Sequence, residues 1–239
     1  MRDLPPPLPP AERTIGQLIG ESIRAYGDNF WRIAPLGVVY AAVDQACVRR
    51  HIAAQLLIYL LAGPFITAAY VWVCAVVLRV KPTWTAMGVG MTIYLLFPPL
   101  RALLILPAVA WFALVGLAVP AVLVEHRDFR SAFARGRELG LADYAHALGS
   151  LAALVVVIGV AENTLTAVLH SQGSSSHRAA LFLADLILSP MLYLGGAMLY
   201  VDQAARVGSL RPDRRSRNAH LHPPLDVDPA GRADAEGKP

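Results

Sequence analysis

The chain has 239 residues, 56% of them apolar and 16% charged, with a net charge of +4 and a mean hydropathy of +0.48. An ordinary soluble domain carries about 25% charged residues, and so few charges cannot cover the apolar surface this chain would expose. These values exclude a disordered chain, a collagen-like repeat and a disulfide scaffold, and make a polytopic membrane protein the natural reading.

Residues 1–12 are proline-rich and read as a disordered, extended leader. No apolar run with a small-residue cleavage site lies near them, so no cleaved signal peptide is expected. Residues 13–27 then place Ile15, Leu18, Ile19, Ile23 and Tyr26 on one helical face. Arg13, Gln17, Glu21 and Arg24 fall on the other. That spacing predicts an amphipathic helix lying in the membrane interface. Thr14 and Gln17 have capping-box spacing at its start, and Phe30-Trp31 follows as an aromatic pair suited to the headgroup level.

Six segments have the length and apolarity of a membrane span: 30–48, 54–79, 87–105, 107–124, 146–169 and 179–201. The first carries Asp44 and Gln45, and the second contains Gly63-Pro64, which predicts a kink. The run 87–124 reads as two spans because Pro98, Pro99, Arg101 and Pro107 argue for a break. Gly88 and Gly90 within it read as helix-packing positions. Residues 128–141 form a second amphipathic helix, with Phe129, Ala132, Phe133 and Leu139 apolar and Asp128 available as a cap. Thr83 to Val89 suggests a third, so an interfacial helix followed by a membrane hairpin recurs three times, starting near 13, 82 and 128. The loop 171–177 reads as a plain polar hairpin loop, and 203–239 as a disordered charged tail after a membrane domain spanning 13–202.

Charge distribution orients the spans. With six passes and both ends cytoplasmic, 17 of the 21 Lys and Arg residues fall on the cytoplasmic side. Only Arg49, Arg50, Arg101 and Arg178 face outward, the asymmetry expected of a bacterial cytoplasmic-membrane protein. The basic residues flank apolar segments rather than forming a stripe, so the expected partners are the bilayer and another membrane protein or a second copy, not nucleic acid.

Cys47 and Cys74 fall in apolar runs and read as small buried hydrophobes. No GxxxxGK[ST], GxGxxG, HExxH, CxxC or GxSxG pattern occurs, so no cofactor, metal or catalytic residue is assigned. The informative residues are polar groups at membrane depth: Asp44, Gln45, Arg101, Glu162, Asn163 and Asp185. An ionised group facing hydrocarbon costs several kcal/mol, so these side chains are expected to point inward. At about 1.5 Å rise per residue, Asp44, Glu162 and Asp185 lie roughly 7–12 Å below the outer end, with Arg101 on the same side. Glu162 and Asp185, on the two arms of one hairpin, are expected to be the closest pair. Such a cluster serves a polar cavity for a proton, a cation or a headgroup, or it fixes helix packing.

Three short segments carry a family resemblance. IGQLIGESIRAYGDNFW, VPAVLVEHRDFRSAFARGRELG with Pro120, Glu125, Ala132, Arg135 and Leu139, and LYVDQAAR at 199–206 resemble a family of bacterial polytopic proteins. That family is related to the membrane domain fused to some glycerophosphodiester phosphodiesterases. The resemblance implies about six helices and no established activity, and the metal-binding carboxylates and histidines of the enzyme domain have no counterpart here. The expectation is an all-α bundle acting as a non-enzymatic scaffold, assembly partner or small transporter-like unit, with a lipid-handling role as the alternative.

Overall fold

The computed structural model describes residues 9–169 and 174–210, so the leader to residue 8, residues 171–173 of the expected loop, and 211–239 lie outside the described residues. Every element among the described residues is helical. A 3-10 turn at Pro10–Glu12 precedes α1 (Ile15–Asp28), α2 (Phe30–Ile33) and, after a 3-10 turn at Ala34–Leu36, α3 (Gly37–Cys47). There follow α4 (Ile52–Leu78), α5 (Trp84–Leu95), α6 (Phe97–Leu103), α7 (Ile105–Val115), α8 (Ala118–Glu125), α9 (Phe129–Ala142), α10 (Tyr144–Leu169) and α11 (Ser174–Leu210). Five helical stretches are long and apolar enough to cross a membrane: Ile52–Leu78, Trp84–Leu103, Ile105–Glu125, Tyr144–Leu165 and Arg178–Gly208.

The expected span at 30–48 is not one of them. Pro35 lacks the amide a continuous helix needs, and the chain passes through a 3-10 turn there, leaving α2 and α3 as short pieces. Nor does α1 lie apart from the bundle. Arg13 meets Asp202, Leu18 shares a core cluster with Leu199, and Tyr26 shares another with Leu194. Gly37 then meets Leu186, and Gln45 donates to the Arg178 carbonyl at 3.3 Å. The register falls steadily along α11, so α1 to α3 run antiparallel to it from one end of the bundle to the other. Leu18, Ser22 and Tyr26 form the buried stripe, whereas Ile23, expected on it, is 52% exposed.

Local chemistry explains most helix starts. Gln17 N–H donates to Thr14 Oγ1 at 3.4 Å while the Gln17 side chain accepts from Thr14 N–H at 3.0 Å, completing the capping box. Thr83 Oγ1 accepts from Ala86 N–H at 3.3 Å, so α5 begins there directly, without the separate interfacial helix expected at 83–89. Asp128 precedes α9, but its carboxylate accepts from the Ser131 hydroxyl rather than from a backbone amide. The threefold recurrence therefore reduces to α9 as the one separate amphipathic helix among the described residues, with Ala132 and Leu139 fully buried against α7 and α8. The break in 87–124 is present. The reversal falls at Leu104, in extended backbone between α6 and α7, with Pro98 and Pro99 opening α6.

Helix α11 is the central post, packed against α1, α3, α4, α8, α9 and α10. Pro190 removes the amide that would bond the Leu186 carbonyl, and Gly37 of α3 packs on that same carbonyl. A side chain at 37 would collide with backbone. Gly90 likewise lets α5 approach Thr67 of α4 and Val119 of α8. The helix continues to Leu210, so the expected tail boundary at 202 lies inside it, and residues 174–177 of the expected loop belong to its first turn. Cys47 and Cys74 are both free and buried.

Candidate functional site

Two adjoining cavities occupy the end of the bundle where α3 meets α4, opposite the Arg13 end. The outer one, about 460 Å³, is lined by Asp44, Cys47, Arg49, Gln55, Tyr59, Pro98 and Arg101. The inner one, about 270 Å³, reaches into the middle of the bundle. Tyr59 and Arg101 line both. The inner wall is mostly apolar and aromatic, with Phe97, Phe112 and five of the chain's eight tyrosines: Tyr40, Tyr59, Tyr70, Tyr94 and Tyr193. Glu162 and Ser189 are its polar members besides Arg101 and Thr67.

Arg101 is placed by the short helix α6, which Pro98-Pro99 opens one turn earlier. Its guanidinium lies over the Tyr59 ring, 4.6 Å from the centroid, a cation–π contact in a largely dry setting. Among the described residues it makes no ion pair with a carboxylate, although Asp44 stands nearby on the outer cavity wall. Glu162 of α10 and Asp185 of α11 stand near one another. Asp185 is 5% exposed, and its Oδ2 has no hydrogen-bond partner among the described residues.

Of the six sequence-identified polar residues, Asp44 lines the outer cavity, Glu162 the inner one and Arg101 both, whereas the buried Asp185 lines neither. Gln45 and Asn163 do not join them. Successive helical residues point about 100° apart, so when Asp44 and Glu162 face the cavities their neighbours cannot. Gln45 ties α3 to the Arg178 carbonyl, and Asn163 is exposed and donates back to the Gly159 carbonyl of its own helix at 2.7 Å. The tyrosines escaped sequence reading, although their positions at mid-span, away from an interfacial belt, were a usable signal. Tyr94 and Tyr70 hydroxyls are anchored on the carbonyls of Tyr59 and Gly116, at 3.1 and 3.2 Å. The hydroxyls of Ser189 and Tyr193 are buried without a partner. Among the described residues no three His, Cys, Asp or Glu side chains come together within metal-ligating reach.

A second polar network at the other end also went unread. Arg13 pairs with the fully buried Asp202 at 3.1 Å, and His146 Nε2 lies 4.0 Å from the same carboxylate. Arg206 pairs with Asp143 at 2.8 Å and donates to the Arg13 carbonyl at 3.1 Å, while Gln203 donates to the Asp143 carbonyl at 3.2 Å. Beside it, Glu125 accepts from Arg135 at 2.8 Å, Arg127 at 3.1 Å and the Tyr200 hydroxyl at 3.2 Å. Burial opposes the Arg135 charge, but the Glu125 and Glu138 carboxylates outweigh it and hold the guanidinium above its ordinary value. These contacts tie the segment before α1 to α8, α9, α10 and α11, while Arg13 Nε, His146 Nε2, Asp202 Oδ2 and Gln203 Oε1 are buried without a hydrogen-bond partner among the described residues. No family model, curated protein or solved structure matches the chain.

Proposed function

We propose that the chain is a non-enzymatic, multi-pass protein of the bacterial cytoplasmic membrane that binds a small ligand in its paired cavities, in a transporter-like rather than a scaffolding role. The observation that carries this is the junction at Arg101 and Tyr59, where a polar vestibule opens into an aromatic chamber. Concave, mostly apolar cavities of a few hundred Å³ with a few fixed polar groups are the usual form of a ligand site.

The topology is part of the proposal. The interrupted segment 15–47 tracks α11 and counts as a first pass, which with the five long helices makes six. Both described ends then lie on the cytoplasmic side, in line with the Lys and Arg distribution. The cavities open outward. A lipid-handling role is the second reading, favoured by the apolar lining of the inner chamber and in keeping with the resemblance to membrane domains of glycerophosphodiester phosphodiesterases.

Sidedness is tested by single cysteines in a background where Cys47 and Cys74 are replaced by alanine. A membrane-impermeant maleimide on intact cells should label His51→Cys, in the exposed turn before α4, and not Arg137→Cys on α9. Labelling of Arg137→Cys alone would invert the topology and place the cavities on the cytoplasmic side.

A further inference from the structure

We propose that the paired cavities take a zwitterionic phospholipid: an ammonium-bearing phosphate headgroup at the Arg101 junction, with a hydrocarbon chain in the aromatic chamber. The inference rests on the reading of the cavities as a binding site and names its ligand class.

Charge comes first. Arg101 and Glu162 line the same inner cavity, yet neither makes an ion pair with a carboxylate or cation among the described residues. A wholly anionic headgroup satisfies Arg101 but meets Glu162 in the inner cavity and Asp44 in the outer one. A simple cation satisfies these carboxyls but meets Arg101. In a low-dielectric cavity either mismatch is costly. A molecule with an anion and a cation a few ångströms apart meets both walls, phosphate on the Arg101 guanidinium and ammonium on Glu162. Ser189, 2% exposed, and Tyr193 also line the inner cavity, and their hydroxyls lack partners among the described residues.

Shape comes second. Beyond Arg101 the chamber is walled by rings and aliphatic side chains, which suits a chain and not a small soluble zwitterion. Part of the chamber wall reaches the outer surface of the bundle. Ile105 lines the chamber and is 54% exposed, and a Cβ at Gly159, also on the chamber wall, would meet nothing within 4 Å. The neighbouring α10 residues Val156 and Val160 are 62% and 61% exposed, so this side faces hydrocarbon in a bilayer. The proposal has the lipid enter sideways through a gap formed here between α7 and α10, its chain remaining in an apolar medium throughout.

The full chain, delipidated in detergent, is offered phosphatidylethanolamine and phosphatidylglycerol of identical chains, and the retained lipid is counted by native mass spectrometry. Glycerophosphoethanolamine, the same headgroup without chains, is the competitor. The expected result is at least tenfold preference for phosphatidylethanolamine, no competition by the chainless headgroup, and tenfold weaker binding in Arg101→Gln with recovery in Arg101→Lys. Glu162→Gln should bring the two lipids together. Gly159→Trp, which has room to fold, should close the gap and abolish retention. Equal binding of the two lipids by the wild type overturns the zwitterion assignment while a response to Gly159→Trp still upholds the cavity. Effective competition by the chainless headgroup overturns the lipid in favour of a soluble zwitterion. Retention unchanged in both Gly159→Trp and Arg101→Gln places the lipid outside the bundle and overturns the binding-site reading as well.

Discussion

Replacing Arg13 by alanine should destabilise the bundle more than any other single arginine truncation near the chain's N-terminal end. The side chain pairs at 3.1 Å with Asp202, whose carboxylate is fully buried on α11, and its own exposure is 16%. Breaking a buried pair by removing one partner costs about 3–5 kcal/mol, because the remaining charge has neither water nor a counter-ion. Water reaches the space that Arg13 vacates, so the lower end of that range applies, about 3 kcal/mol. For a chain of this size each kcal/mol moves Tm by about 2–4 °C, which gives a fall of about 6–12 °C in a detergent-solubilised thermal scan. The cause is separable from lost packing. Asp202→Asn in the Arg13→Ala background removes the stranded charge and should recover at least half the loss. Arg24→Ala is the control: its partner Glu21 lies at 3.5 Å and Arg24 is 70% exposed, so less than about 0.5 kcal/mol is expected. A fall in Tm under 2 °C for Arg13→Ala, or no relief from Asp202→Asn, would refute the account of that end of the bundle.

Two further outcomes follow from packing. Gly37→Leu drives a side chain into the Leu186 backbone and should cost about 1–3 kcal/mol or more, whereas Gly20→Leu, where a Cβ meets nothing within 4 Å, should leave Tm unchanged or raised. Ending the chain after Leu210 should leave a monodisperse protein of unchanged Tm. Ending it after Asp202 deletes the Gln203 and Arg206 contacts to Asp143 and should lower Tm by several degrees in the same scan.

Composition and helical periodicity were enough to read an all-α chain with long apolar helices, because both depend on residues near one another in sequence. The capping box at Thr14, the break between α6 and α7 and the helices at 52–78 and 144–169 follow from spacing alone. The polar residues Asp44, Arg101, Glu162 and Asp185 stand out in the sequence because a charge in an apolar run is costly facing hydrocarbon. The cavities gather Asp44, Arg101 and Glu162, whereas Asp185 lines neither. Their neighbours Gln45 and Asn163 are equally polar, and only the rotation of each packed helix separates those that line the cavities from those that do not. The course of residues 15–47 along α11 was missed for the same reason. Hydropathy treats 13–27 and 30–48 as different kinds of segment, but packing along α11 joins them, with Pro35 turning the path and Gly37 seated on the carbonyl that Pro190 frees. The tyrosines' mid-span positions are visible in the sequence, but their convergence on one chamber is not. Its tyrosines come from α3, α4, α5 and α11, and no local pattern records that four helices will aim them at one point.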